Sequence, residues 1–505
     1  MNRKAFSSYA KDHGGRVIVL FLLFLLALYE LVTAGLPVFA AICMLPLVAM
    51  FMVTTFGNHM FIFWTLMVVN YFIMWHAIKV PLPQSAANEM LEILLLVLAI
   101  IDVGNSKFNR TLNLMFVTLI VWCGYCTLEI LNDTCGLGIN IGAWYTGARL
   151  MAFQLMYTFL VFTIYISTAK RLSTYLLVWA GLSLFAVIWV WKQKNIGFTP
   201  SEFAWLYGPG QITHVLQGGT LIRYFSVYSD SANFGIGIAS TAVAFLIFGI
   251  TTKIKKHKIL FLITGIGCSW AIFISGTRTG IVCLMAGIMA YVFLSKSFKI
   301  AIPVTVLFGF FAFILVFTNI GNGNTQIRRM RSAFDSEDAS ANVRKQNQRT
   351  MKKYMAEAPW GIGLGMFGNQ IPPNNKFRLM STIPADSEYV FIWLRTGKIG
   401  ITTFLICTAI MIFGACWIVF FRLRSPSLRG IGAGFTCAMI SQQLGGYGNQ
   451  VLLQFPNCLV FYGGLAIVYV LPYLEEEWVT YEASLLAKQE EKKRLKLEKK
   501  KASRV

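Results

Sequence analysis

Two acidic side chains stand at the start of an apolar run in the last quarter of the chain. In the stretch PADSEYVFIWLRTGKIGI, Pro384 to Ile401, Asp386 and Glu388 come just before a long hydrophobic segment. A carboxylate within hydrogen-bond reach of a hydroxyl group can take its proton as that group attacks. We therefore predict that Asp386 is a general base or orients an acceptor, with Glu388 as the second candidate. The alternative is that Asp386 or Ser387 only caps the helix that begins near Tyr389.

Arginine and lysine dominate the polar segment that precedes these acids. Residues Gly321 to Glu388 include ten basic and six acidic side chains, so this segment favours an anionic partner. Within it, Ser340 to Ala358 predicts a surface helix that Pro359 ends, with a basic face that includes Arg344. We expect that face to lie against lipid phosphates or a bound anion.

The elements that must position these side chains are membrane helices. The chain has 505 residues, of which 56% are hydrophobic and 13% charged, and its mean hydropathy is +0.62. Apolar windows of about 20 residues, enough to span a bilayer as a helix, recur along almost the whole chain. The composition excludes a water-soluble enzyme and predicts an all-α, polytopic membrane protein with about 12–14 transmembrane helices.

Lysine and arginine in the short loops predict the orientation of these helices. They fall on alternate loops, on the same side as the two termini, which we therefore expect to be cytoplasmic. The predicted organisation is a cytoplasmic segment 1–16, a helical bundle 17–320 with an outward loop 192–230, an extracytoplasmic catalytic or binding loop 321–388, carboxy-terminal membrane helices 389–472, and a basic cytoplasmic tail 473–505. We expect the tail to be a solvated helix that is attracted to anionic lipids.

The unusual polar residues of the spans share one expected depth, at the outer headgroup level. They include Glu92, Glu129 and two arginines, Arg149 at a helix start and Arg278 in SGTRTG. Charges in membrane segments are functional by default, although snorkelling towards water is the alternative for each of them singly. Tyr228 and Gln450 are weaker candidates for sugar contacts, and the run Gly363 to Gly368 predicts a tight turn and no dinucleotide site. We expect no metal site and no nucleic-acid partner.

Four motifs in order resemble a known superfamily. They are RYFSVYSDSANFGIGIA from Arg223 to Ala239, SGTRTGI from Ser275 to Ile281, the stretch from Asn342 to Phe367, and ADSEYVFIWLRTGKIG from Ala385 to Gly400. With a large outward loop before the last motif, the chain is similar to the O-antigen ligase and Wzy-like O-antigen polymerase superfamily. The resemblance covers roughly residues 223–401.

The resemblance implies a GT-C-like, metal-independent glycosyltransferase without a cofactor. It would act at the outer face of the bacterial inner membrane on oligosaccharides linked to undecaprenyl diphosphate, with membrane lipids around it. Arginines at the places of Arg223, Arg278 and Arg344 are associated with the diphosphate in this family, and we add Arg149 as a further candidate. Ligases usually carry His-Asn where this chain has Asp386-Ser387, which favours a polymerase of O-antigen, capsular or exopolysaccharide repeat units.

Three other functions remain open from the sequence. One is a ligase that transfers finished glycan to lipid A core or protein. Another is a flippase or exporter of lipid-linked oligosaccharides, and the last is a scaffold that docks through its tail. A chain-length regulator and a flippase of the same pathway are possible partners.

Overall fold

The computed structural model describes residues 22, 58–77, 86–216, 219, 221–296 and 339–502, together with 302, 303, 305, 306, 309, 310, 313, 314, 317–321, 323 and 325–331. The apolar windows that predict membrane spans include Val17–Thr33, Leu36–Phe56 and Lys299–Ile320. The predicted segment 1–16 and the window Leu36–Phe56 lie outside the described residues, as do Val17–Thr33 apart from Leu22 and much of Lys299–Ile320.

The described part of the chain is helical, and the predicted all-α class is confirmed. Its only strands form a short antiparallel hairpin in which Val215 faces Ile222. The elements are α1 His59–Phe72, α2 Ala86–Ile101, α3 Leu114–Leu128, α4 Ile141–Ala148, α5 Gln154–Tyr165, α6 Ala169–Asn195, α7 Pro200–Leu206, α8 Gln211–His214, β1 Val215–Leu216, β2 Leu221–Ile222, α9 Ser231–Thr251, α10 Lys255–Ser275, α11 Arg278–Leu294, α12 Thr325–Arg331, α13 Ala339–Met355, α14 Arg378–Thr382, α15 Glu388–Trp417, α16 Pro426–Gly448 and α17 Asn457–Ala502.

Within the described residues, seven helical stretches are long and apolar enough to cross a membrane. Two shorter apolar helices, α1 and α11, accompany them. The predicted polytopic helical membrane protein is therefore confirmed; the predicted number of 12–14 spans also counted segments outside the described part. The seven stretches are Leu114–Leu131, Ile141–Tyr165, Ala169–Asn195, Ser231–Thr251, Lys255–Ser275, Glu388–Arg422 and Asn457–Leu495.

Helix α9 forms the centre of the bundle and is buried along most of its length. It packs against α10, α11 and α16. Its contact with α10 is close because Gly249 faces Leu262 at 2.7 Å and Gly265 faces Leu246 at 2.8 Å, measured from where a Cβ would stand. Small residues at such crossings let membrane helices approach each other without a side chain between their backbones.

Helix α15 is broken at Gly397, where φ is 66° and ψ is −165°. The apolar run from Tyr389 to Phe421 is longer than a bilayer requires, which predicts a tilted or re-entrant piece around Gly397 and Gly400. The break at Gly397 agrees with this prediction. The carbonyl groups of Leu394 and Arg395, next to the break, accept hydrogen bonds from the backbone of Ile362 at 2.9 Å and Gly363 at 3.1 Å. The glycine-rich turn of the 321–388 loop is thus anchored to the break in α15.

The 321–388 loop supplies most of a small apolar core, which Cys135 and Leu394 complete. The predicted surface helix is present as α13, which ends three residues before the predicted Ala358. Met351 and Met355 on α13 are buried against Ile362 and Phe377. The basic side chains of α13 remain outside this core, so the apolar side of the helix holds it in place while its basic side stays available.

The tail continues the last membrane helix. Helix α17 runs from Asn457 to Ala502 and includes Pro472 within it. The domain boundary that we expected between residues 472 and 473 therefore falls inside one helix.

Candidate functional site

Several loops meet at the end of the bundle where α9 and α11 begin and α10 ends. The loop after α16 holds them together: Asn449 donates to Thr279 Oγ1 at 3.3 Å, and Gln450 donates to the carbonyl oxygen of Ala385. This is the end that the topology prediction places outside. It brings segments that are more than 200 residues apart in the chain into one polar layer.

Arg223 lies directly after β2 in this layer. Its backbone N–H donates to His214 O at 2.9 Å, so the hairpin fixes its position. Its side chain donates from Nη1 to Thr213 O at 3.0 Å and from Nη2 to Thr277 Oγ1 at 3.2 Å. Arg223 therefore connects the hairpin to the SGTRTG turn between α10 and α11.

Other guanidinium groups surround Arg223. Arg329 donates from Nε to Gly276 O at 2.7 Å, one residue before the Arg223 contact on the same turn. Burial lowers the pKa of Arg223 to about 10, and the nearby charges of Arg329, Arg278 and Arg344 add to this lowering. Asp230 acts in the opposite direction. The structure thus gathers four guanidinium groups, and we call Arg223, Arg278, Arg329 and Arg344 the arginine cluster.

Asp230, the acid whose charge offsets this lowering of the Arg223 pKa, is already engaged. Asp230 caps α9 and accepts hydrogen bonds from Ala232 N at 2.8 Å and Asn233 N at 2.9 Å. Like charges held together disfavour their charged forms. An anion with several oxygens would relieve this repulsion and accept charge-assisted hydrogen bonds from the same groups.

Asp386 lies at the edge of the arginine cluster. Its Oδ2 atom is 3.9 Å from Arg344 Nε, and each of the two side chains is somewhat more than a third exposed. The contact of Gln450 with Ala385 holds the backbone just before Asp386. A carboxylate and a guanidinium group are therefore adjacent and open to a substrate.

Glu388 has a different environment. It is 2% exposed, and its Oε2 atom accepts a hydrogen bond from Leu452 N at 2.8 Å. Ser387 is the N-cap residue of α15, but its hydroxyl donates to Gly446 O at 3.0 Å and makes no capping bond. The side chains of Ser387 and Glu388 fix the last turn of α16 and the loop after it to the start of α15. Asp386 is left as the more accessible acid.

Tyr228 lies in the core. It is 1% exposed, and its ring packs edge-on against Tyr71 and Phe234, with centroid distances of 6.3 Å and 5.3 Å. This position gives a sugar no access to Tyr228, so we do not retain it as a substrate contact. Gln450 is half-buried beside Asp386 and remains a candidate for a sugar contact.

The other polar residues expected at the headgroup level are engaged elsewhere. Arg149 starts a π-turn between α4 and α5, and its Nη1 atom lies 2.9 Å from Glu89 Oε2 in an ion pair. Glu92 is fully buried and accepts from Thr158 at 2.8 Å. Glu129 accepts from the hydroxyl of Tyr125 at 2.8 Å. Arg149 therefore has a structural partner, and its predicted diphosphate contact stays a prediction.

Arg329 is the member of the arginine cluster that the sequence did not single out. It stands in the run RRMR, where its neighbours Arg328 and Arg331 are of the same type. Arg328 is exposed, whereas Arg329 is half-buried and reaches Gly276. Nothing in the run distinguishes the three, because the difference depends on how α12 lies against the SGTRTG turn.

Comparison with known families gives a match that includes much of this site. Residues 260–405 match the O-antigen ligase family model (Wzy_C). The matched segment, less than a third of the chain, contains Arg278, Arg329, Arg344 and Asp386, while Arg223 precedes it. No curated protein matches the chain. The resemblance to the O-antigen ligase and Wzy-like superfamily is thereby confirmed, and the match supports a glycosyltransferase-like function of the ligase or polymerase type in general.

Proposed function

We propose that the protein is a polymerase that joins oligosaccharide repeat units carried on undecaprenyl diphosphate. The observation that carries this proposal is the arginine cluster with Asp386 at its edge. The reaction would take place at the outer face of the bacterial inner membrane, at the end of the bundle where the loops meet. The family match supports the reaction class and a lipid-linked oligosaccharide substrate.

The arginine cluster would hold the diphosphate of the donor. When the bond between the sugar C1 atom and the phosphate oxygen breaks, the electron pair leaves with undecaprenyl diphosphate and its negative charge grows. One guanidinium group about 4 Å from this charge is worth roughly 4 kcal/mol at an effective dielectric constant of 20, before desolvation. Fixed donors of this kind stabilise the leaving group without reorganising during the reaction.

Asp386 would act on the acceptor. The hydroxyl oxygen of the acceptor sugar forms the new bond to C1 as its proton passes to the carboxylate of Asp386. The partial exposure of Asp386 suits this role, because the acceptor must reach it. Arg344 beside it would place the carboxylate next to the diphosphate that the cluster holds.

A ligase that transfers the finished glycan is the second candidate. The matching family is that of the O-antigen ligases, which favours this candidate. The Asp386-Ser387 pair, at the place where ligases usually carry His-Asn, favours the polymerase. Deleting the gene separates the two: single repeats persist without a ladder of lengths if a polymerase is lost, whereas full-length polymer stays on the lipid carrier if a ligase is lost.

The direct test uses purified full-length protein and a defined undecaprenyl-diphosphate oligosaccharide, with a chelator in place of added metal. We expect a ladder of products that differ by one repeat. Transfer of a single glycan to a lipid A core acceptor, without a ladder, would establish the ligase instead. Absence of any glycosyl transfer, combined with single repeats stranded on the cytoplasmic face of a deletion strain, would indicate a flippase and reject both.

A further inference from the structure

A groove of about 700 Å³ lies at the opposite end of the bundle from the arginine cluster. It is formed between the start of α10 and the distal part of α17. Helix α10 has 21 residues, a length of about 31 Å at 1.5 Å per residue. The groove is therefore separated from the proposed active site by about the thickness of a bilayer, on the side that we expect to face the cytoplasm.

One wall of the groove is basic. Two lysines come from α10 and three from α17, and none of its described lining residues is acidic. The ion pair of Lys253 with Glu482 at 3.8 Å involves none of these lysines. An anion in the groove would therefore meet cationic groups from two helices at once. The five lysines are Lys255, Lys256, Lys488, Lys492 and Lys493.

Apart from His257 and Gln489, the rest of the groove is apolar. Ile254, Ile259 and Leu260 line it from α10 and the turn before it, Leu177 from α6 and Leu485 from α17. A free inorganic anion or a nucleotide would gain nothing from these side chains. Ile259 is exposed on a helix that crosses the membrane, so the apolar wall continues towards the hydrocarbon region. An anionic headgroup attached to acyl chains fits both walls.

The two helices that form the groove are held together by specific contacts. Gln489 Oε1 accepts a hydrogen bond from Lys255 N at 3.1 Å. The ion pair of Lys253, just before α10, with Glu482 on α17 is a second link, and the side chain of Glu482 is only 5% exposed. The groove is thus preformed, and a ligand does not have to bring α10 and α17 together against their own entropy.

We propose that this groove binds an anionic phospholipid of the surrounding membrane. The headgroup phosphate lies among the five lysines, and the acyl chains follow the apolar wall along α10. The bound lipid connects the tail of α17 to the α9–α10 turn and stabilises the tail against the bundle.

The test measures binding of a fluorescent phosphatidylglycerol to the purified full-length protein in a non-ionic detergent, by anisotropy. We expect unlabelled phosphatidylglycerol to compete, and phosphatidylcholine and inorganic phosphate at the same concentration to leave the probe bound. Each lysine near a lipid phosphate contributes about 1 kcal/mol, so Lys488→Ala, Lys492→Ala and Lys493→Ala combined should weaken binding by about 100-fold.

Two further variants make the result specific. Replacing the same three lysines with arginine retains the charge and should retain affinity within about threefold, which separates loss of charge from misfolding. The combination Lys107→Ala, Lys170→Ala and Arg424→Ala removes three exposed cations from the same end outside the groove and should leave affinity unchanged. Equal competition by phosphatidylcholine or by inorganic phosphate, or equal weakening in this last variant, would reject the lipid site.

Discussion

Asp386 and Arg344 form the pair on which the proposed chemistry depends most directly. Their side chains lie 3.9 Å apart and both are open to solvent, whereas the neighbouring acid Glu388 is engaged with Leu452 N. The alternative that residues 386 and 387 only cap α15 gains no support from Ser387, which donates elsewhere. The structure therefore distinguishes the partly exposed Asp386 from the engaged Glu388, both of which the sequence offered as candidate acids.

The first prediction concerns the proton acceptor. Asp386→Asn retains the shape of the side chain and removes its basic oxygen, so polymer formation should slow by about 100-fold or more. Glu357→Gln provides the control, because Glu357 is an exposed acid of the same loop that pairs with Lys376 at 2.6 Å. The measurement is the rate of polymer formation by each purified protein. A fully active Asp386→Asn protein would reject Asp386 as the base.

The second prediction concerns Arg329. Losing one charged hydrogen bond to the diphosphate costs about 1.5–3 kcal/mol, so Arg329→Gln should lower kcat/KM for the donor by roughly 10- to 100-fold. Arg328→Gln removes the exposed neighbour on the same short helix and should change kcat/KM for the donor by less than about threefold. Partial recovery with Arg329→Lys would support a role of the charge. Equal losses in the Arg328 and Arg329 variants would show that α12 acts only through its total charge.

The third prediction concerns His214, the last residue of α8, whose carbonyl oxygen accepts a hydrogen bond from Arg223 N. Its Nε2 atom accepts a hydrogen bond from Ser231 N at 3.0 Å, so the ring is neutral with its proton on Nδ1. Burial, with the charge of Arg223, lowers the pKa of His214 to about 4, although Asp230 and the hydrogen bond to Gly210 act against this shift.

The direction in which stability changes with pH follows from the pKa of His214 in the folded and in the unfolded protein. An unfolded histidine takes up a proton near pH 6.5 but folded His214 only near pH 4, so stability falls as pH decreases from 6.5. At pH 5 the loss is about 2 kcal/mol. The decrease of Tm between pH 7.5 and 5.0 should therefore be larger in the wild type than in His214→Gln, while His76, whose pKa burial also lowers, remains in both proteins. Parallel curves would contradict the assignment.

Among the elements, the break in α15 is the one that positions the 321–388 loop. Gly397 has backbone angles that are almost restricted to glycine, and a Cβ there would overlap the carbonyl oxygen of Pro359. Without the break, the carbonyl groups of Leu394 and Arg395 would not receive the backbone of residues 362 and 363. The position of the loop is therefore set from within a membrane helix.

The fourth prediction tests this anchoring. Gly397→Ala should destabilise the protein by about 3 kcal/mol or more, because backbone strain adds to the steric overlap. Limited proteolysis should then cut the 321–388 loop faster than in the wild type. Gly181→Ala, at a helical glycine with open space around it, should be neutral or stabilising by up to about 1 kcal/mol. A proteolysis rate that Gly397→Ala leaves unchanged would mean that the loop is held by other contacts.

At the scale of the whole molecule, the described helical bundle carries clusters of basic side chains at both ends. One end holds the arginine cluster, and the other holds the lysine-lined groove between α10 and α17. The positive-inside pattern of the short loops predicts that the groove is cytoplasmic. The long loop 321–388 is basic too, but loops of this length cross the membrane largely regardless of charge.

The fifth prediction concerns this orientation. In the full-length protein, an epitope tag inserted after Gly208 should bind antibody on intact spheroplasts. A tag fused to the carboxyl terminus should bind only after the membrane is permeabilised. The reverse pattern would place the arginine cluster inside the cell and would exclude the proposed use of an outward-facing lipid-linked donor.

The sequence by itself determined the helical membrane class, the surface helix of the large loop and the superfamily. Hydrophobic length, helical periodicity and local motifs are properties of short stretches, and each can be read without knowing its neighbours. The tight turn before Gly368 and the break near Gly397 were predicted for the same reason, because both depend on glycine.

Only the tertiary structure decided which side chains share the site. The sequence offered Tyr228 and Glu388 beside Gln450 and Asp386, but burial separates the first two from any substrate, and burial depends on packing between helices far apart in the chain. Arg329 enters the arginine cluster because α12 lies against the turn at Gly276, while Arg149 is paired with Glu89. Side-chain type indicates which chemistry is available, but only the fold decides which groups are adjacent and which are already neutralised.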